Sequence, residues 1–201
     1  MSGCTYEVTE VVASPGVTPY QTVGPFFHYA LPYEPGSRVA GPHRPGVFRL
    51  TGRVLDGEGA PIGDALVEIW QADEEGEFVS EPGIYAEVTD DAFRGFGRCP
   101  TDEHGRFEFH TVKPAGVPTT DGQPQAPHIA MSVFARGMLR RVVTRVYFED
   151  EAEANAADPL LVSVEEARRP TLIATAEEGG YRFDVHIQGD DETVFLDVFA
   201  R

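Results

Sequence analysis

The chain is almost without lysine. Lys113 is the only one, and 16 Lys and Arg residues stand against 33 Asp and Glu, for a net charge of −17. An acidic surface with no basic run repels nucleic acid and anionic membranes, and neither is expected as a partner. Cysteine is scarce as well: Cys4 and Cys99 make up no CxxC pair and no disulfide framework. No apolar run approaches the roughly 20 residues that span a bilayer. Residues 1–20 lack the basic and apolar regions of a signal peptide, so a cytoplasmic protein is expected. With lysine gone, almost every cation available to an anionic ligand is a planar guanidinium that can form a two-pronged hydrogen-bonded fork.

Hydrophobic residues at 41% and aromatics at 10% describe a globular chain with a sizeable core rather than a disordered one. Residues 1–46 are rich in Pro, Gly and aromatics and show little periodicity. The segment Thr18-Pro19-Tyr20-Gln21-Thr22-Val23-Gly24-Pro25-Phe26-Phe27 is too apolar for a solvated tail. It predicts an extended arm that packs on its own domain or on another chain. Beyond it, β-branched and aromatic residues in alternation predict strands over 47–55, 65–72, 106–112, 128–135, 141–148, 181–187 and 193–199. Asp56-Gly57-Glu58-Gly59, His104-Gly105 and Gln188-Gly189-Asp190-Asp191 are turn signals between them, 73–100 reads as mostly loop and 113–126 as a Pro/Gly/Thr loop. Two short helices are expected. One covers 150–157 and stops before Asp158-Pro159; the other opens on the capping-box spacing Ser163-Val164-Glu165-Glu166 and is limited by Pro170. The sum is an all-β fold, an antiparallel β-sandwich over 47–201 with an extended N-terminal arm over 1–46 and two short helices.

The most informative stretch runs from Pro127 to Gly137. As a strand it sends His128 and Ala130 to one face. Two histidines at that spacing grip a metal ion, and here the second is an alanine. A lone histidine in an apolar strand is in the main a packed, hydrogen-bonded group. The stretch ends in Arg136, whose fork suits a carboxylate. On the residues alone, the default for Arg136 in so acidic a chain is a surface salt bridge. Trp70 is expected in the core or an interface. Arg140, Arg141 and Arg145 are expected to pair with acids, either Glu149, Asp150 and Glu151 or those of a partner. Asp102-Glu103-His104 is marked as a hairpin by Gly105, and His28 and His43 have no companion ligands nearby.

Several blocks together resemble the intradiol ring-cleavage dioxygenases. They are Leu50-Thr51-Gly52-Arg53-Val54-Leu55-Asp56, Ala65-Leu66-Val67-Glu68-Ile69-Trp70-Gln71-Ala72-Asp73, Phe96-Gly97-Arg98, His110-Thr111-Val112-Lys113-Pro114, the Pro127–Gly137 stretch, Arg145-Val146-Tyr147-Phe148 and Tyr181-Arg182-Phe183-Asp184-Val185. Gln21-Thr22-Val23-Gly24-Pro25, Phe134-Ala135-Arg136-Gly137 and the run Ile187-Gln188-Gly189-Asp190-Asp191-Glu192-Thr193-Val194-Phe195 are most similar to the alpha type of subunit in the family's two-chain members. The resemblance implies a beta chain as partner, non-haem Fe(III) bound by that beta chain, and O2-dependent cleavage of 3,4-dihydroxybenzoate to 3-carboxy-cis,cis-muconate in aromatic catabolism. The family's iron is held by two histidines and two tyrosines. His128 matches the first histidine, as a vestige, and Ala130 stands at the second. Val117 follows Lys113-Pro114-Ala115-Gly116 where iron-bearing chains carry a tyrosine, and Tyr85 is the candidate for the other. No iron and no catalytic residue are therefore expected in this chain alone. The resemblance casts Arg136 and Thr22 as contacts to the substrate carboxylate, and Gly24 and Pro25 as backbone that shapes the pocket's border. Two alternatives stand beside this reading. One is a self-sufficient iron dioxygenase, against which Ala130 and Val117 argue; the other is a non-enzymatic structural or binding β-sandwich subunit.

Overall fold

The computed structural model describes residues 21–24, 26–79 and 88–198. Nine strands carry the fold: β1 Phe48–Leu55, β2 Leu66–Trp70, β3 Phe96–Pro100, β4 Arg106–Thr111, β5 His128–Phe134, β6 Val142–Phe148, β7 Ile173–Glu177, β8 Gly180–Arg182 and β9 Val185–His186. The helices are α1 Phe27–Ala30, α2 Ala152–Ala157 and α3 Pro159–Ser163, with 3-10 turns at Glu149–Glu151 and Glu166–Leu172.

Period-two alternation produces the strands. In β5, Ile129, Met131 and Val133 are wholly buried, while His128, Ala130, Ser132 and Phe134 face outward and are only partly covered. β1 buries Leu50, Gly52 and Val54 in the same way. Gly52 has no substitute there, because a Cβ would collide with the Phe183 carbonyl that crosses over it. Each fully buried Ile, Met or Val side chain contributes on the order of 1.5–3 kcal/mol through the apolar area it removes from water.

The strand order is β3-β2-β5-β6-β7-β8-β1-β4, with β9 also pairing β1. The main core cluster draws Val67 and Ile69 of β2, Ile129 and Met131 of β5, Leu50 of β1 and Phe109 of β4 together, and a smaller one of Ala126, Tyr147, Leu161 and Leu172 lies under the helices. The mostly-β expectation holds, but the pairing is mixed rather than purely antiparallel. β6–β7, β1–β8 and β1–β9 are parallel. The cause lies in the connection. Parallel neighbours need a long crossover, and α2, α3 and the second 3-10 turn supply it between β6 and β7.

Other local expectations shift for identifiable reasons. Asp158-Pro159 ends α2 at Ala157, as expected, and in addition starts a further helix. Asp158 is the N-cap of α3, accepting from the Leu160 and Leu161 N–H groups, with Pro159 at the first helical position. Its other oxygen contacts are the Ala126 N–H at 2.9 Å and the Tyr147 hydroxyl at 3.0 Å, and the side chain is fully buried. Ser163 closes α3 rather than capping the next helix; its hydroxyl donates to the Leu160 carbonyl at 2.7 Å. The segment with Pro170 is a 3-10 turn. The stretch read as mostly loop over 73–100 contains β3, which pairs with β2. The strand expected over 193–199 does not form among its described residues. The Thr193 N–H and hydroxyl are spent on His186 and the Leu196 N–H on Val143, which are isolated bonds and not a ladder.

Residues 38–40 are tied to the body. Val39 is fully buried in the core, Arg38 bridges His110 and Ala40 bridges Phe93. The lone lysine has a structural duty. Lys113 pairs with Asp150 at 2.6 Å and Glu151 at 3.1 Å and lies over the rings of Phe148 and Tyr181 at 5.1 and 5.3 Å. Partial burial works against its charge, but hydrogen bonds with Asp150, Tyr181 and Glu151 outweigh it and hold the ammonium pKa above its usual value. The acids expected to receive Arg145 are therefore engaged elsewhere, and Glu149 accepts from the Ala176 N–H at 2.7 Å. Among the described residues no helix is long and apolar enough to cross a membrane.

Candidate functional site: an arginine turn and a ligand-poor cleft

The two ends of β5 carry different chemistry. At its C-terminal end the chain leaves the sheet at Ala135 and turns, with the Met138 N–H on the Ala135 carbonyl at 3.2 Å. Arg136 occupies this turn. Its side chain is 68% exposed and its Nε lies 3.1 Å from an Asp64 carboxylate oxygen. The Coulomb gain of so exposed a pair is screened by water. The surface-salt-bridge expectation is thus met in part, since the guanidinium remains mostly open to solvent.

Gly137 follows with φ of 90°, a left-handed conformation in which a side chain is strained. That conformation aims its N–H at the arm, where it donates to the Thr22 hydroxyl at 3.1 Å across a separation of 115 residues. Thr22 in turn lies 3.4 Å from the Val23 carbonyl. Val23 shares a hollow of about 230 Å³ with Met138, Leu139 and Arg141. The fold thus brings two of the expected substrate contacts, Thr22 and Arg136, to one place. Gly24 is exposed with open space around its Cα. Pro25 and Tyr85 lie outside the described residues.

At the N-terminal end of β5 lies a cleft of about 400 Å³, lined by His128, Ala130, Arg145, Gln125, Val117, Trp70 and Phe78 among others. Register assembles it. Trp70 of β2 pairs with Ala130 of β5, and Ala130 pairs with Arg145 of β6, so the three side chains form one outward-facing row. Ala130 and Arg136 are six positions apart, roughly 20 Å along extended chain at about 3.3 Å per residue. The cleft and the arginine turn are separate sites.

His128 is largely enclosed. Its Nδ1 lies 2.8 Å from the Ala126 carbonyl, and a carbonyl only accepts, so this nitrogen carries the proton. Burial, and then the Arg145 charge, push its pKa below the usual imidazole value. The packed-histidine expectation agrees with this geometry. Tyr147, with its ring 5.5 Å from that of His128, is buried and donates to Asp158. Burial holds its phenol well above the normal range despite Arg145. Trp70 is not in the core: the residue is 40% exposed and its ring stacks on that of Phe78 at 6.5 Å with an interplanar angle of 13°.

The ferric iron implied by the family resemblance does not fit these residues. The described wall offers one neutral imidazole nitrogen, a methyl at Ala130, an aliphatic side chain at Val117, a permanent cation at Arg145 and neutral amides and hydroxyls at Gln71, Gln125, Thr119 and Thr120, with no carboxylate and no phenol. A hard trivalent ion needs anionic donors and is repelled by a guanidinium. Among the described residues one acidic trio is close enough to share a cation, Asp73, Glu74 and Glu75, and it is engaged by Arg44, whose Nη2 lies 2.7 Å from Glu74.

The comparisons agree with this fold and these motifs. A family model described as "Dioxygenase" matches residues 33–189. The dioxygenase domain of a carbohydrate-binding fusion protein from Streptomyces sp. SirexAA-E superposes with a TM-score of 0.58 at 23% identity, covering 86% of this chain and 98% of that one, a likeness of fold. The chain belongs to the intradiol dioxygenase family. Within it, the chain is 43% identical to the protocatechuate 3,4-dioxygenase alpha chain of Pseudomonas putida, over 90% of this chain and 96% of that one. The beta chain of the same enzyme from Burkholderia cepacia is also homologous, at 39% identity over 72% of this chain and 65% of its own.

Arg145 is the residue whose place at the cleft sequence reasoning missed. The sequence marks it as one of three arginines after Arg136 and as part of the block Arg145-Val146-Tyr147-Phe148, without a role at a site. Its position beside Ala130 depends on the β5–β6 register, for which the sequence carries no local signal.

Proposed function

We propose that this chain is the substrate-orienting, iron-free alpha subunit of a protocatechuate 3,4-dioxygenase. In this reading the beta chain holds the Fe(III), and the pair cleaves 3,4-dihydroxybenzoate with O2 to 3-carboxy-cis,cis-muconate. The observation that carries the proposal is the clasp between the arm and the arginine turn: the Gly137 N–H on the Thr22 hydroxyl, beside a guanidinium that contacts Asp64 through Nε. Arg136 presents two further nitrogens with which to fork the substrate carboxylate, supplying orientation in place of chemistry. Thr22 fixes the turn and borders the same spot, and Gly24 and Pro25 shape the backbone there. Exposed apolar side chains on the arm and turn, Phe26, Tyr29 and Leu139, supply an apolar face for the beta chain to cover. Residues 1–46 act as the arm and 47–201 as the β-sandwich body. A cytoplasmic location goes with this reading.

The test is reconstitution. The chain alone is expected to bind no stoichiometric iron and to consume no O2 with 3,4-dihydroxybenzoate, while the co-purified pair does both. Stoichiometric ferric iron in this chain alone would refute the proposal, and so would a beta chain that is fully active without it.

A further inference from the structure

The cleft beside His128 is more than a site that has lost its metal ligands. A guanidinium occupies it, and among the described residues Arg145 has no carboxylate partner. Its contacts are the Tyr147 hydroxyl at 3.3 Å and, with the Gln125 amide turned to satisfy both of its ends, the Gln125 oxygen at 3.1 Å. The same turned amide donates to the Val117 carbonyl at 3.0 Å, which fixes Gln125 as a wall. In a chain with 33 acidic residues, this half-buried arginine makes no direct carboxylate contact among the described residues; Asp158 is reached only through the Tyr147 hydroxyl. A cation so placed in a recess raises the local concentration of anions.

The second observation is independent of charge. Trp70 and Phe78, at the same cleft, are 40% and 49% exposed, with nearly parallel rings. Exposed aromatic surface beside a cation describes a receptor for a molecule that is flat at one end and anionic at the other. A volume of about 400 Å³ admits a substituted benzene ring.

We propose that this cleft is a second, non-reactive binding site for a small aromatic carboxylate. The carboxylate is held by Arg145 and the ring lies against Trp70 and Phe78. The proposal does not depend on the role of Arg136, roughly 20 Å away along the extended chain.

Trp70 is the chain's only tryptophan. In the full chain labelled with 5-fluorotryptophan, alone or with an unlabelled beta chain, its single ¹⁹F signal reports on the cleft. Titration with benzoate is expected to shift that signal saturably. Acetate and inorganic phosphate are expected to bind at least about tenfold more weakly, because they lack a ring to stack. Arg145→Gln is expected to weaken benzoate by about tenfold or more through loss of a charge-assisted bond. Arg136→Ala is expected to leave the titration as it was, which separates failure of this site from failure of the substrate-orienting reading. Should Arg145→Gln not fold, Ala130→Leu fills the cleft while keeping the charge, and it is expected to abolish the shift. No saturable shift, a shift equally strong in the cleft variants, or acetate matching benzoate would each overturn the proposal.

Discussion

Replacing Arg136 with alanine separates a binding role from a structural one. Its partner in the fold is Asp64, through Nε at 3.1 Å, and the arginine side chain is 68% exposed. An ion pair that open contributes about 0–1 kcal/mol and lies toward the low end here. Arg136→Ala should therefore move the unfolding midpoint of the αβ pair very little. A fork to a substrate carboxylate is a different matter, because hydrogen bonds to a charged group are worth about 1.5–3 kcal/mol. Loss of the fork predicts a fall of about 10- to 150-fold in kcat/KM for 3,4-dihydroxybenzoate, carried chiefly by KM. Catechol lacks the carboxylate, and its kcat/KM should change by less than about threefold. Arg136→Lys keeps the charge but not the planar fork and should fall between. The assay is oxygen uptake by the reconstituted pair with each substrate, beside a thermal melt. An equal loss on both substrates would point to misassembly, and unchanged kinetics on both would remove Arg136 from the site; either refutes the argument.

Three further outcomes follow from the geometry. Asp158→Ala removes the acceptor for the Leu160, Leu161 and Ala126 N–H groups and the Tyr147 hydroxyl. It should destabilise by about 3–5 kcal/mol, and a urea melt shifted by under about 1 kcal/mol would contradict the network. His128 has a folded pKa below its unfolded value, so between the two the unfolded chain binds more protons and stability rises with pH. Urea midpoints at pH 5.5 and 7.5 should differ less in His128→Gln than in the parent chain; an identical difference would show that His128 does not carry it. Lys113→Met removes both ion pairs and both ring contacts and should cost about 1–2 kcal/mol, most of it recovered by Lys113→Arg. A loss as large in the arginine variant would assign the effect to packing rather than charge.

Much of this molecule is local information and was legible. Alternation alone marks β1, β5 and most of β6, because inner-face residues must be apolar. Set beside the family resemblance, Ala130 and Val117 are legible without any coordinates as positions where a methyl and an isopropyl group offer a metal no lone pair. The sequence is incomplete where one signal serves two purposes. Asp158-Pro159 marks the end of α2 and also caps α3, and the second role is held in place because Ala126 and Tyr147 reach Asp158 from elsewhere in the fold. The antiparallel expectation failed at β6–β7, β1–β8 and β1–β9 because strand direction depends on how far a crossover carries the chain.

The residue types at each site, and the chemistry open to them, were determined by the sequence. Which of them meet was decided by the tertiary structure. Thr22 and Gly137 share a hydrogen bond across 115 residues, and strand register places Arg145 beside Ala130. Side-chain chemistry is a property of each residue, whereas long-range pairing rests on a register set by the whole packed sheet. A slip of one residue would send Arg145 to the opposite face.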